Sequence, residues 1–328
     1  MEQKPTIPWE GWSVARRLGR GGFGTVYEIQ RNFFGVTEKA ALKVITIPQN
    51  PDEIEYMRSE GNDAQSITRR FRGYLEDIAR EYSAMAQMKG SAHIVHCDDF
   101  KSIQHDDGFG YDIYIKMELL TPLMKALEQV RTEEQILQLG IDISKALVHC
   151  QKKKIIHRDI KPQNVFLAED GSFKLGDFGI ARSAEQLTNA TAGVGSYPFM
   201  APEVFAGKAY DQTVDIYSLG LLLYWLLNNN RGPFMPQPPQ PTTAALEEEA
   251  RVRRFGGERL PVPVNGSWQL KAVVLKACAY DPRERYASAA ELLIALQDVR
   301  DDRMPAKKEK PQDKPVSKAK GFFRPGNL

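Results

Sequence analysis

Residues 157–164 read HRDIKPQN and gather a carboxylate, cations and an amide within one short segment. The apolar pair Ile155-Ile156 precedes this segment, and the apolar run Val165-Phe166-Leu167 follows it. A loop between two buried segments is held in place by its scaffold, so its polar side chains can converge on one point. The pattern therefore predicts a chemical site on this loop.

A second polar motif follows at residues 174–179, which read KLGDFG. Asp177 comes directly after a strand-like run and is followed by a glycine at which the chain can turn. The side chains of Asp177 and Asn164 both carry oxygen atoms, the hard ligands that Mg²⁺ prefers. The two motifs together predict a magnesium site beside the polar loop.

Glycines punctuate residues 19–26, which read GRGGFGTV. Glycines let a backbone approach a polyphosphate closely and direct N–H groups at it. The same spacing occurs in dinucleotide-binding sites, but such a site requires a helix that begins at the last glycine. Here Thr25-Val26-Tyr27 continues as a strand, which favours a hairpin that covers phosphates.

A lysine, Lys43, lies within the apolar strand-like run Ala40–Val44. Burying a lysine is costly unless the ammonium group is paired or binds an anion. Glu81 is the predicted partner, because it falls between Ile78 and Met85 on one face of a predicted helix. Taken singly, Lys43 is also compatible with an exposed edge residue, and Glu81 with a solvent-facing helix residue.

Two different periodicities divide the chain near residue 120. Before it, strand-like runs and glycine turns surround one principal helix, which predicts a mainly antiparallel sheet. After it the pattern is helical: Thr132 with Gln135 and Ser288 with Glu291 form capping boxes, and Asp215–Asn228 is apolar nearly all round, as in a buried helix. A cleft between a β-rich and an α-rich lobe is a preferred place for a ligand.

Six features coincide in order and spacing: the glycine segment, Lys43, Glu81, the loop at 157–164, Asp177-Phe178-Gly179 and Ala201-Pro202-Glu203. In this set the chain resembles the eukaryotic-like (Hanks-type) serine/threonine protein kinases, and its style is similar to the bacterial ones. The resemblance implies an α+β, bilobal protein kinase fold, with a β-rich N-lobe containing one main helix and a mainly α-helical C-lobe. It divides the chain into an N-terminal tail (1–8), the N-lobe through the hinge (9–120), the C-lobe (121–300) and a basic disordered tail (301–328).

The resemblance also implies ATP and Mg²⁺ as cofactors, bound between the lobes. It implies that Asp159 orients the substrate hydroxyl and accepts its proton, and that Lys161 neutralises the γ-phosphate. Lys43 is expected to hold the α- and β-phosphates while it pairs with Glu81. The implied metal ligands are Asn164 and Asp177, and the implied nucleotide-binding residues are Gly19, Gly21, Phe23, Gly24, Val26, Ala41, Lys43, Met117, Glu118, Leu120 and Phe166.

Acceptor and activity are expected to depend on a few residues of these motifs. Lys161 favours serine or threonine in a protein substrate, because kinases that phosphorylate tyrosine usually replace this lysine. The alternative function is a catalytically silent pseudokinase, a scaffold that binds nucleotide and a partner. Such a scaffold usually lacks a charged residue of the site, whereas Lys43, Asp159 and Asp177 are all present. The Ala-Pro-Glu segment argues against a small-molecule phosphotransferase.

Two further segments indicate regulation. In the segment that resembles the family's activation loop, Ser183, Thr188 and Thr191 are candidate sites of autophosphorylation. The polar stretch Pro48–Phe71 is longer than a minimal kinase requires. It either docks a partner or shifts the helix that carries Glu81, and the sequence leaves both readings open.

Charge is distributed unevenly along the chain. The 328 residues carry a net charge of +2, but residues 303–328 contain eight Lys or Arg against two acidic residues, together with several prolines. Such a segment buries too little apolar surface to fold, so it is expected to be a disordered tail. The tail is interpreted either as a solvated linker or as an arm for an anionic membrane, and no specific nucleic-acid partner is expected.

The three cysteines, Cys97, Cys150 and Cys278, are too few and too scattered for a disulfide framework, which favours a reducing compartment. The first residues carry no apolar core of a signal peptide, and no apolar run reaches the length of a membrane span. The expected location is cytoplasmic, either free or as the cytoplasmic domain of a membrane-associated kinase whose span lies outside this chain.

Overall fold

The computed structural model describes residues 5–21, 24–50, 52–128, 132–177 and 197–303, apart from the side chains of Glu81, Ala84 and Tyr197. The N-terminal lobe is built on a five-stranded antiparallel sheet with the strand order β1-β2-β3-β5-β4. The antiparallel sheet predicted for this half of the chain is confirmed. Its strands are β1 (Ser13–Gly21), β2 (Gly24–Phe33), β3 (Val36–Ile47), β4 (Cys97–Gln104) and β5 (Tyr111–Met117).

Side chains alternate along β3 and so divide between the two faces of the sheet. One face is covered by residues that precede β1, among them Trp12. Trp12 packs there in a small buried cluster with the strand residues Ile29, Ala40, Leu42 and Tyr114. On the other face Ile45 and Ile47 belong to the main core of the protein. Lys43 shares the parity of Ile45, so it lies on this inner face, which is also the face toward the second lobe.

Two helices connect β3 to β4, whereas the sequence predicted one principal helix after a polar stretch. They are α1 (Asp52–Ser59) and α2 (Ala64–Ala86). The Asp63 side chain caps α2 and accepts a hydrogen bond from the Ser66 N–H at 2.7 Å. Met57 and Phe71 are buried in the main core, so the polar insert packs beside α2. Its apolar residues are too widely spaced to reveal a helical stripe in the sequence.

The C-terminal lobe is mainly helical, as predicted, and carries a small sheet with the order β6-β7-β8. This sheet consists of β6 (Thr121–Pro122), β7 (Val165–Leu167) and β8 (Phe173–Leu175). The helices are α3 (Leu123–Ala126), α4 (Glu133–Lys152), α5 (Pro202–Phe205), α6 (Thr213–Leu227), α7 (Ala244–Phe255), α8 (Trp268–Ala277) and α9 (Ala289–Arg300). Across the described ranges, none of the helices has the length and apolar character needed to cross a membrane.

The predicted helix caps of the C-terminal lobe are largely right. Thr132 and Gln135 form the full capping box of α4. Ser288 caps α9, but the Glu291 side chain accepts a hydrogen bond from the Ala287 N–H rather than from Ser288, so the second predicted capping box was wrong in that contact. Helix α6 is buried on all sides, with Trp225 as its least buried residue, and it forms the centre of this lobe.

Candidate active site

The polar loop at 157–164 connects α4 to β7, and the buried helix α6 holds its backbone. Asp215, in the first turn of α6, accepts hydrogen bonds from the backbone N–H groups of His157 and Arg158, each at 2.8 Å. Arg158 has a φ of 67°, which an ordinary side chain rarely adopts. The Asp215 carboxylate therefore fixes a strained loop conformation, as expected for a loop whose side chains must be oriented.

His157 supports this loop from within and does not act as a base. Its Nδ1 accepts a hydrogen bond from the Asp159 N–H at 3.3 Å, and its Nε2 lies 3.0 Å from the Gly176 carbonyl oxygen. This pair of contacts requires a neutral ring with its proton on Nε2. Burial lowers the pKa of His157, which keeps the ring neutral.

The His157→Gln variant is expected to lose part of the acid sensitivity of the protein. The folded-state pKa of His157 lies below its ordinary value of about 6.5, so the unfolded chain takes up a proton first as the pH falls. The stability linked to the neutral ring is complete above pH ~6.5 and is lost as the pH falls toward the lowered pKa. Denaturant unfolding measures the free energy of unfolding of both proteins at pH 8 and at pH 5.5. This free energy should fall more between the two pH values for the wild type than for the variant. An equal fall in both proteins would contradict this role of His157.

Asp159 is oriented by two neighbours on the same loop. The Asn164 Nδ2 donates hydrogen bonds to the Asp159 carbonyl oxygen and to Oδ2, both at 2.7 Å. The Lys161 Nζ lies 2.8 Å from the same Oδ2. Within the described residues the other carboxylate oxygen, Oδ1, accepts no hydrogen bond, so it is the atom that can receive a proton from a bound hydroxyl.

A second carboxylate lies next to this loop and contacts the other lobe. The Lys43 Nζ is 2.6 Å from Asp177 Oδ1, although the two residues are 134 positions apart. Burial by itself would raise the pKa of Asp177, but the charge and hydrogen bond of Lys43 outweigh it, and the pKa lies below its ordinary value. Asp177 is therefore ionised at neutral pH. The Gly176 N–H donates to the Asn164 carbonyl oxygen at 2.9 Å, which holds this segment against the loop.

The donor set beside the loop fits a hard metal ion. Asn164 uses its amide nitrogen on Asp159, which leaves the amide oxygen as a ligand, and the neighbouring Asp177 supplies an ionised carboxylate. Two protein oxygens of this kind are typical of a Mg²⁺ that is completed by phosphates and water. Among the described residues there is no cluster of three or more His, Cys, Asp or Glu side chains that would make a complete protein cage.

Several of the predicted nucleotide-binding residues share one face of the sheet. Lys43 opposes Val26 on β2, and Ala41 opposes Met117 on β5. Directly opposed residues of an antiparallel pair lie on the same face, as do residues two apart on one strand. These four side chains therefore line the inner face above the Lys43–Asp177 contact, and Phe166 lies on β7 of the other lobe.

Gly24, in the hairpin between β1 and β2, occupies a position that only glycine can take. Gly24 has a φ of 141°, and a Cβ at this position would lie 2.2 Å from the Val44 carbonyl oxygen. Gly19 and Gly21 have open space around them. The backbone of β2 thus passes close to β3 directly beside Lys43, whose register partner is Val26. Phe23 lies outside the described residues.

The connection between the lobes contains a contact that the sequence did not reveal. Glu118, one of the expected nucleotide-binding residues, accepts a hydrogen bond from the His96 N–H at 2.6 Å with its carboxylate, which also contacts the Lys174 Nζ at 2.7 Å. Lys174 belongs to β8 of the C-terminal lobe. The side chain of Glu118 therefore ties the connection to both lobes, and no local pattern in the sequence marks Lys174 as its partner.

Not every predicted site residue can be placed. The backbone of Glu81 lies on α2, as expected, but its side chain is outside the described set, so its pairing with Lys43 stays a prediction. Ser183, Thr188 and Thr191 also lie outside the described residues. Of the basic tail, only residues 301–303 lie within them.

A buried ion pair anchors the segment that follows the activation loop. Arg285 Nη1 and Nη2 contact the two carboxylate oxygens of Glu203 at 2.6 and 2.8 Å. The same guanidinium donates hydrogen bonds to backbone carbonyl oxygens of Ala279, Thr213 and Tyr280. This pairing of Glu203 with Arg285 joins α5 to the chain between α8 and α9.

A two-lobed fold with a lysine–aspartate pair between the lobes, beside an oriented second carboxylate, defines the class of this protein as a kinase. Comparison with protein families agrees: residues 12–295 match the protein kinase domain. The chain therefore belongs to the protein kinase family, and both the predicted family and the predicted fold are confirmed.

Individual relatives lie in bacteria and animals. A probable serine/threonine-protein kinase of Clostridium perfringens is 29% identical over 254 residues, which are 76% of this chain and 34% of that protein. Aurora kinase C of Mus musculus is 29% identical over 290 residues, 86% of this chain and 89% of that protein. The tyrosine-protein kinase MasK of Myxococcus xanthus is 37% identical over 150 residues, 45% of this chain and 22% of that protein. The chain thus spans about a third or less of the length of these two bacterial relatives.

Proposed function

We propose that this chain is a serine/threonine protein kinase that transfers the γ-phosphate of ATP to hydroxyl groups of a protein substrate. The observation that carries the proposal is the orientation of Asp159 by Asn164 and Lys161, beside the interlobe contact of Lys43 with Asp177. Phosphoryl transfer needs little covalent chemistry from a protein, and is catalysed mainly by positioning and by fixed charge. This arrangement supplies both.

Each charged residue has a proposed role in that reaction. Asp159 orients the acceptor hydroxyl and takes up its proton, while Lys161 neutralises charge that develops on the transferred phosphoryl group. Lys43 holds the α- and β-phosphates and, with nucleotide bound, pairs with Glu81. Asn164 and Asp177 hold Mg²⁺, which supplies charge neutralisation for the phosphates.

The nucleotide is proposed to lie against the inner face of the N-terminal sheet. Its phosphates are covered by the backbone of the glycine hairpin, and the adenine lies among apolar side chains of both lobes. Glu118 and Leu120 contribute backbone groups to the adenine, because the Glu118 carboxylate is already engaged. The full proposed set is Gly19, Gly21, Phe23, Gly24, Val26, Ala41, Lys43, Met117, Glu118, Leu120 and Phe166.

The acceptor is proposed to be serine or threonine rather than tyrosine. The Lys161 ammonium lies 2.8 Å from Asp159, so it occupies space directly beside the carboxylate that receives the proton. A short side chain brings the substrate backbone close to this lysine, whereas tyrosine would hold it farther away. The Clostridium relative is named a serine/threonine-protein kinase, which agrees with this proposal, whereas the Myxococcus relative is named a tyrosine-protein kinase. The test must therefore identify which type of residue is phosphorylated.

Regulation and location are part of the proposal. The chain phosphorylates itself on Ser183, Thr188 or Thr191, works in the cytoplasm and acts on a protein partner. The basic tail contacts an anionic membrane or leads to a span outside this chain. A pseudokinase scaffold is not favoured, because Lys43, Asp159 and Asp177 are present and make the contacts that an active site requires.

The direct test is transfer of label from [γ-³²P]ATP with Mg²⁺ to the protein itself and to a generic basic protein. Both proteins should become labelled, and acid hydrolysis should recover the label as phosphoserine or phosphothreonine. No label should be incorporated when EDTA removes the metal before the reaction. Loss without metal is expected because the protein offers few oxygen ligands of its own and the charge of the phosphates would stay uncompensated.

The outcomes of this test separate the alternatives. ATP binding without any transfer would support the scaffold instead. Label found on phosphotyrosine would refute the assignment of the acceptor but not the kinase activity. Peptide mapping of the labelled protein should place phosphate on residues 183–191, and an active enzyme without label there would contradict autophosphorylation at these sites.

A further inference from the structure

Asp142 is a buried carboxylate that takes no part in the proposed phosphoryl transfer. It lies on α4, and its side chain is 1% exposed. Its Oδ1 accepts hydrogen bonds from the Gln138 Nε2 at 2.8 Å and from the Lys145 Nζ at 3.1 Å. Its Oδ2 accepts one from the Phe173 N–H, also at 3.1 Å. Burying a carboxylate is costly, so one that bonds to the backbone of a distant segment indicates that the position of this segment matters.

His93, in the segment between α2 and β4, contacts the same residue. Its Nδ1 lies 3.2 Å from the Phe173 carbonyl oxygen and 3.5 Å from Asp142 Oδ1. Both neighbours are hydrogen-bond acceptors, so Nδ1 carries the proton and donates to the Phe173 carbonyl oxygen. Asp142 and His93 thus bind the N–H and the C=O of one residue. This residue, Phe173, is the first of β8.

Strand β8 is short and lies at the edge of its sheet. It has three residues, and within the sheet it pairs with β7 alone. At its other end, the Leu175 N–H donates to the His93 carbonyl oxygen and the Leu175 carbonyl oxygen accepts from the Val95 N–H, each at 2.9 Å. Both Phe173 and Leu175 are buried, so an open edge would leave their backbone groups without partners. The outer edge of β8 is therefore fastened at Phe173 by two side chains and at Leu175 by a backbone.

The position of β8 sets the spacing of the two proposed metal ligands. Asn164 directly precedes β7, and Asp177 lies two residues beyond the end of β8. Val165 and Leu175 oppose each other at this end of the pair. A shift or tilt of β8 against β7 would therefore move the Asp177 carboxylate relative to the Asn164 amide. Mg²⁺ requires near-ideal geometry, so such a displacement should weaken its binding.

We propose that Asp142 and His93 are positioning residues for the metal ion: they hold the start of β8 so that its far end presents Asp177 beside Asn164. This inference rests on the proposed kinase function, which supplies the metal and the nucleotide. Removing a group that hydrogen-bonds directly to a metal ligand typically lowers metal affinity about 10–100-fold. Asp142 acts through a strand rather than on the ligand itself, so a smaller effect of about fivefold is expected.

Calorimetric titration with a non-hydrolysable ATP analogue measures this effect without phosphoryl transfer. The dissociation constant of the analogue is determined with EDTA and with saturating Mg²⁺, and the ratio of the two values reports the coupling between metal and nucleotide on the protein. Binding of Mg²⁺ to the free analogue is the same in every titration, so it cancels when variants are compared. Asp142→Asn keeps the size of the side chain but leaves one oxygen in place of two. This variant should lower the ratio about fivefold and leave the value in EDTA unchanged.

A matched control lies in the same β-hairpin. Asp170→Asn makes the same chemical change at an exposed carboxylate in the turn between β7 and β8, and it should leave the ratio unchanged. Equal ratios for Asp142→Asn and Asp170→Asn would overturn the proposal. The readout requires no transfer of phosphate, so its failure is distinguishable from a failure of the proposed function: an inactive wild type would refute the function, while the ratios would still decide the positioning role.

Two substitutions of His93 test the same role if Asp142→Asn does not fold. His93→Ala removes the donor to the Phe173 carbonyl oxygen and should lower the ratio. His93→Asn should restore it, because the Nδ2 of asparagine and the Nδ1 of histidine are both bonded to Cγ and both can donate a hydrogen bond. Equal ratios for the wild type and His93→Ala, or no recovery in His93→Asn, would overturn the positioning role.

Discussion

The Asp159→Asn variant should transfer phosphate about 10²–10⁴-fold more slowly than the wild type while it binds Mg-ATP with similar affinity. The substitution keeps the size of the side chain but removes its ability to accept a proton. It also removes the charge that holds Lys161 at 2.8 Å, so the lysine loses its position beside the acceptor. Both effects raise the free energy of the transition state and leave nucleotide binding unchanged. The reason is that neither the Asp159 carboxylate nor the Lys161 ammonium is proposed to bind the nucleotide in the ground state.

Single-turnover transfer and nucleotide titration measure the two halves of this prediction separately. Asp170→Asn is the matched control: it makes the same chemical change at an exposed carboxylate in the turn between β7 and β8, where it accepts hydrogen bonds from Ser172. The control should transfer phosphate at the wild-type rate. An Asp159→Asn variant as fast as the control would show that another group accepts the proton.

Replacing Arg285 by Met should lower the free energy of unfolding by about 3–5 kcal/mol, the range typical for breaking a buried ion pair. The substitution leaves the Glu203 carboxylate buried without its bidentate partner. It also removes the donors to three backbone carbonyl oxygens, so polar groups on several segments lose a partner together.

Denaturant unfolding tests this prediction, and two further variants interpret it. Glu203→Leu combined with Arg285→Met removes both charges, and it should recover part of the lost stability because no unpaired charge stays buried. Arg283→Met removes the neighbouring pair with Asp281, in which the arginine side chain is 88% exposed, and should change stability little. A similar loss for Arg283→Met and Arg285→Met would contradict the importance of burial.

The sequence predicted the elements whose pattern is local. The strands around Lys43 alternate on a two-residue period, and the cap of α4 is a short motif, so both were found without any knowledge of the fold. Helix α1 and the beginning of α2 were missed, because Met57, Ile67 and Phe71 are separated by charged residues and become a core only when they meet the sheet. Burial in three dimensions, rather than periodicity, stabilises this part.

Prediction of the site follows the same division. Asp159, Lys161 and Asn164 could be predicted as site residues because they lie within one segment of eight residues. In the structure, Asn164 and Lys161 both contact the Asp159 carboxylate. The interlobe contacts of Asp177 and Glu118 join residues far apart in the chain, so no spacing rule identifies them. The sequence proposed Glu81 as the partner of Lys43, and this pairing stays a prediction because the Glu81 side chain lies outside the described residues; the described contact of Lys43 with Asp177 was not foreseen.

The double attachment of Glu118 has a mechanical consequence for the cleft. A carboxylate fastened to the His96 N–H on one side and to Lys174 on the other makes one end of the connection a fulcrum. Any change in the angle between the lobes then displaces atoms in proportion to their distance from this fulcrum. Met117, the neighbouring residue, would scarcely move, while the hairpin at Gly21 and Gly24 would move farther. The cleft would thus widen most on the side of the glycine hairpin, where the phosphates are proposed to bind, and least beside Met117, where the adenine is proposed to bind.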